Sequence, residues 1–150
     1  MTTATAKSLR EQLLEQWNDL GRKTRELGEA LPASAFDEAP LDGVRSAGDV
    51  FRHLAFWNRW VAASARGESP DGAANELPKK EAPTKTKALA AFAASVDEAA
   101  TALGKAQNGR GEISPESAAL CSSFLGHTAE HYGQLVVYAR LGGVVPPTSR

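Results

Sequence analysis

The sequence predicts an all-α protein, a four-helix bundle of the up-down-down-up type with a long crossover between its second and third helices. Three observations carry that reading. Apolar residues recur at steps of three or four in four separate segments. Helix start or stop signals bound these segments. No alternating apolar–polar pattern of strand length is present.

The first helix is predicted from Lys7 to Ala30, because Leu9, Leu13, Trp17, Leu20, Thr24, Leu27 and Leu31 share one helical face. Most of its charges (Glu11, Glu15, Asp19, Arg22 and Glu26) fall outside that stripe. The connection "LPASAFDEAPLDGVR" contains two prolines and a glycine and reads as turns. The second helix starts at Ser46, where Ser46-x-x-Asp49 resembles a capping box, and ends near Gly67. Its run "VFRHLAFWNRWVAASA" is apolar on most sides, as in a largely buried helix. The crossover "GESPDGAANELPKKEAP" has no apolar period and reads as a long exposed loop. The third helix is predicted from Thr84 to Lys105, on the stripe Leu89, Phe92, Val96, Ala99 and Leu103. After the turn "QNGRGEIS", Ser114-Pro115-Glu116 gives a cap, a proline at the first helical position and an acid in the first turn. The fourth helix then runs to Leu141, where Gly142-Gly143 and Pro146-Pro147 stop it.

A chain of 150 residues is most simply one domain, long enough to bury a core without disulfides. Its 17 basic and 18 acidic residues nearly cancel, which argues against a dedicated nucleic-acid binder. A single cysteine, Cys121, excludes an internal disulfide and suits a reducing compartment. The opening "MTTATAKSLREQLLEQW" has no apolar secretory core, and no segment has the run of apolar residues that a membrane span needs. A cytoplasmic protein is expected.

The chemistry concentrates in "GHTAEHYGQ". His127 and His131 lie one helical turn apart and project to the same side, about 6 Å apart along the axis. That side runs Leu120, Phe124, His127, His131, Gln134 and Tyr138, so the pair is expected to face inward. The remaining histidine, His53, shares its side of the second helix with Asp49, Val50, Phe56, Trp57 and Trp60, also an inward stripe. Three separately buried imidazoles would each need hydrogen-bond partners, whereas one shared metal ion would satisfy a nitrogen on each. Both readings stand at this level. His127-x-x-Glu130-His131 also matches the inverted zinc-protease motif, but no acidic residue follows it to supply a further ligand.

The neighbours have alternative roles. Asp49 could orient His53 or bind metal, or simply complete the helix cap. Gln134 could bond a metal-bound water or a neighbouring helix. Glu130 is a candidate general base or a solvated surface acid. Trp57, Trp60 and Phe124 could line a pocket or pack the core. Tyr138 and Arg140 could anchor the C-terminal tail. Cys121 falls on the opposite side of the helix from His127 and reads as a small buried hydrophobe.

The pattern His127-x-x-x-His131-x-Gly133-Gln134, followed by an apolar stretch with Tyr138-x-Arg140 and then glycines and a double proline, resembles the last helix of the DinB superfamily. "RSAGDVFRHLAFWNRW" resembles that family's second helix, and the likeness extends over essentially the whole chain. The resemblance implies a four-helix bundle with a long crossover, a divalent metal (zinc or nickel) on His53, His127 and His131, and a homodimer. It also implies a small-molecule substrate and, in some branches, a low-molecular-weight thiol such as bacillithiol, mycothiol or glutathione. Tyr132 departs from the basic residue that many members carry after the second histidine of the motif, which leaves the substrate class open. The leading expectation is a metal-dependent thiol transferase or hydrolase. The alternatives are a non-catalytic metal- or ligand-binding bundle, as in a stress or resistance protein, and a degenerate member without metal.

Overall fold

The computed structural model describes residues 6–149. The first five residues, part of the stretch expected to lack a secretory leader, lie outside the described residues. The helices are α1 (Leu9–Ala30), α2 (Ala33–Asp37), α3 (Ala47–Ala65), α4 (Lys85–Lys105) and α5 (Pro115–Leu141), with a 3-10 turn at Pro147–Ser149. Among the described residues there is no strand, only one isolated bridge between Gln107 and Ile113. The protein is all-α. Among the described residues, no helix is long and apolar enough to cross a membrane.

The long helices begin where their side chains can satisfy free backbone N–H groups. Ser8 forms a reciprocal capping box with Glu11 at the start of α1. Ser46, Thr84 and Ser114 accept from the backbone N–H three residues on in α3, α4 and α5. Gly143, at φ 74, carries the chain out of α5 in a conformation that a side chain would strain.

Two connections differ from their sequence reading. The stretch after α1, expected to be a turn-rich connection, contains α2, whose Phe36 is fully buried and stacks on Phe51 at 5.6 Å. Five residues make fewer than two turns, too few to show a period. The crossover is a loop with most of its residues exposed, as expected, but two buried residues pin it to the body as a strap. Leu77 and Ala82 are 5% and 1% exposed and join the core. The Leu77 N–H donates to the Arg52 carbonyl (3.2 Å), and the Arg52 guanidinium donates to the Ala82 carbonyl (3.0 Å). Two apolar anchors in an otherwise polar segment give no periodic signal.

α3 is the central helix, packed mainly on α4 and also on α5, while α1 packs on both α4 and α5. Phe51 of α3 meets Phe92 of α4 edge to face at 5.3 Å. The Trp17 indole N–H donates to the Val96 carbonyl (3.1 Å) and ties α1 to α4. At Gly28 a Cβ would stand 2.4 Å from a Phe51 ring carbon and 2.6 Å from Leu89, so glycine permits the close approach of α1 there. On α5, Cys121, Thr128, Leu135 and Ala139 are buried, and the histidines project from a neighbouring side toward α3.

Candidate metal centre

The buried circumference of α3 carries His53 inward, 6% exposed. One helical turn of α5 presents half-buried His127 and His131 to it. The three ring centroids form a nearly equilateral triangle: 5.0 Å from His53 to His127, 4.8 Å from His53 to His131, and 4.8 Å from His127 to His131. Nε2 of His53 and Nε2 of His127 stand 3.0 Å apart, although the residues are 74 positions apart in the chain. One nitrogen from each ring lies within 4.8 Å of the others.

Hydrogen bonds fix the tautomers of two rings. Nδ1 of His53 lies 2.6 Å from the Asn75 carbonyl, which can only accept, so Nδ1 carries the proton and the lone pair sits on Nε2. A longer chain of bonds decides His131. The Tyr138 hydroxyl donates to the Arg45 carbonyl (2.9 Å), and so accepts from the Gln134 side-chain NH2 (2.7 Å). That leaves Gln134 Oε1 to accept from His131 Nδ1 (2.8 Å) and places the His131 lone pair on Nε2 as well. Metal-ligating histidines are held by outer bonds of this kind.

The donor set fits a divalent ion. Two imidazole nitrogens on tetrahedral zinc, with bonds of about 2.0–2.1 Å, stand roughly 3.3 Å apart, close to the 3.0 Å between His53 and His127. Burial pushes His53 down to about 4, with the Arg45 charge and the other two rings adding to the shift against the opposing Asn75 bond. Burial lowers His127 too, and His131 and Arg45 act in the same direction against Glu130. Both are therefore neutral near pH 7, the form that binds metal.

The other sequence candidates fall in distinct places. Gln134 holds His131 and Tyr138, where a metal-bound water or a neighbouring helix was anticipated. Asp49 does not orient His53. Its carboxylate accepts from Ser46 (2.9 Å) and Arg52 (2.6 Å), because the cap geometry turns it toward its own first turn. Burial works to raise its pKa, but those bonds outweigh it and hold the group below the usual carboxylate value. Glu130 is exposed and turned to solvent. Trp57 stands edge-on to His53 and His127 (6.4 Å to each) and donates to the Asn75 side-chain oxygen (2.9 Å). With Trp60 and Phe124 it forms an aromatic wall, ring centroids 5.6–5.8 Å apart, beside His127. Tyr138 serves the centre, and the tail is held by Tyr132 on Thr148 (2.8 Å) and by Arg140, which donates to the Ser149 hydroxyl (3.5 Å) as expected. Cys121 is fully buried, and burial pushes its thiol up to about 11.

Sequence reasoning missed Asn75 and Arg45. Asn75 is the described non-glycine residue at positive φ (60°), a conformation that asparagine tolerates better than most. Its place in "PDGAANELP" signals a turn, but nothing in that pattern says it faces His53.

Three imidazoles from two helices of an all-helical protein converge on one point, two of them tautomer-locked, an arrangement compatible with a bound metal ion. The sequence model of the DinB superfamily matches residues 12–135, and the chain belongs to that superfamily. No curated protein matches it.

Proposed function

We propose that His53, His127 and His131 hold one divalent cation, zinc or nickel, and that the protein uses it to activate a thiol or water in transfer to, or hydrolysis of, a small molecule. The convergence of the three rings carries this reading. Three imidazole ligands leave a tetrahedral or larger coordination sphere open on one side. An ion held there supplies Lewis acidity, bringing the pKa of a thiol or water toward neutrality. The chain's own residues do the rest. Asn75 and Gln134 orient the ligand rings, and the Trp57–Trp60–Phe124 wall restricts water on one flank. The sulfur nucleophile comes from a low-molecular-weight thiol, because buried Cys121 has no access. The four long helices are read as the bundle of the superfamily, with the strap as its long crossover.

The test is metal content of untagged protein, followed by turnover of small electrophiles with several thiols, wild type against His53→Ala. One equivalent of zinc or nickel and His53-dependent turnover are expected. Protein that refuses both metals at neutral pH would refute the site. Bound metal without His53-dependent turnover would refute the catalytic part.

A further inference from the structure

Arg45 lies where the two arms that orient the histidines meet. Its main-chain carbonyl ends the chain from His131 through Gln134 and Tyr138. Its side chain reaches the strap, where Nε contacts Glu76 Oε2 at 3.3 Å. Glu76 adjoins Asn75, whose carbonyl receives the His53 proton. The residue is thus pinned at both ends beside the centre. Among the described residues its guanidinium bonds through Nε alone, and the two terminal nitrogens keep their donors for something else. The side chain is 37% exposed, so those donors are open to a small molecule.

We propose that Arg45 is a specificity-determining residue that reads an anionic group, a carboxylate or its equivalent, on the molecule bound at the three-histidine centre. This rests on the metal-site reading above and narrows its substrate class. A guanidinium edge with two parallel donors matches a carboxylate better than any neutral group. A charge oriented by the fold loses little side-chain freedom on binding. The nearby acids leave the role intact. Glu76 holds Nε by a single contact, and Glu130 is exposed on α5.

The test uses untagged protein loaded with cobalt(II) and two probes of equal length, 3-mercaptopropionate and neutral 3-mercaptopropionamide. Binding is followed by thiolate-to-cobalt absorption in wild type, Arg45→Gln and Arg45→Lys. The readout is the affinity ratio of the two probes, compared between proteins so that their different thiol pKa values cancel. The wild-type ratio is expected to exceed that of Arg45→Gln by about ten-fold, with Arg45→Lys between them. Equal ratios in wild type and Arg45→Gln overturn the proposal, as does a loss of affinity that is the same for both probes. In those cases cobalt uptake and thiol binding still stand. If wild-type protein takes up no cobalt, the metal-site reading fails and this inference falls with it; cobalt uptake with a spectrum that neither thiol perturbs overturns this inference and leaves the metal site standing.

Discussion

Replacing Gln134 with leucine isolates the arm that orients His131. Gln134→Leu keeps the size of the side chain while removing the acceptor 2.8 Å from His131 Nδ1 and the donor 2.7 Å from the Tyr138 hydroxyl. Without metal, the loss is that of ordinary hydrogen bonds at a half-buried position, about 1 kcal/mol. With metal bound, the imidazole is polarised and its Nδ1–H bond becomes charge-assisted, so more is lost. Outer-sphere changes of this kind weaken metal binding roughly 10- to 100-fold, about 1.4–2.7 kcal/mol. Gln134→Glu keeps an acceptor on His131 and should bind within a few-fold of wild type or more tightly. Zinc affinity is read by competition with a chromogenic chelator. Urea unfolding in EDTA reports the metal-free stability separately. If Gln134→Leu binds zinc as tightly as wild type, packing rather than the relay sets the ring, and the tautomer argument for His131 is wrong.

Three further outcomes follow from the geometry. Asn75→Ala should lose about 2 kcal/mol in metal-free urea unfolding, about 1 because alanine tolerates φ 60° less well than asparagine and about 1 from the Trp57 indole left without its acceptor. Asn75→Gly relieves the first term and should lose less; equal losses would contradict the backbone argument. Arg52→Met removes a side chain that is 2% exposed from a 39%-exposed Asp49 and from the Ala82 carbonyl. It should cost about 2–3 kcal/mol, less than a fully buried pair because water reaches Asp49, and hydrogen exchange should show the strap loosening first. For Cys121, burial raises the thiol from 9.0 to about 11. Above pH 9 the unfolded chain gives up this proton while the folded chain keeps it, so stability falls as pH rises to about 11. Relative to Cys121→Ala, wild type should lose up to about 2–3 kcal/mol over that window, and native protein at pH 8 should resist iodoacetamide.

The long helices were legible because each carries a repeating apolar face and a serine or threonine where the backbone needs a cap. Ser46 and Ser114 stand where expected, and at α1 the cap falls on Ser8. The three histidines were legible as a group because each sits on an inward stripe. Their supports were not. Asn75 and Arg45 act partly through main-chain carbonyls, which every residue has and no sequence pattern marks. The spacing put Gln134 and Tyr138 on one side of the helix, but showed neither their bond nor that Arg45 completes the chain. Asp49 shows the converse: its spacing to His53 suits a ring acceptor, yet the local attraction of Ser46 and Arg52 takes both its oxygens.

The 74 positions between His53 and His127 have a cost and a benefit beyond chemistry. No local fragment can present both nitrogens, so an ion that needs them selects the finished fold over any unravelled form. At a free level one hundred times its dissociation constant, that preference adds about 2.7 kcal/mol, close to what a covalent bridge across fifteen residues gives. Unlike such a bridge, a metal rivet would dissolve when the ion is scarce. Cellular lifetime of the protein would then track metal supply, with starved chains opening more often and reaching proteases first.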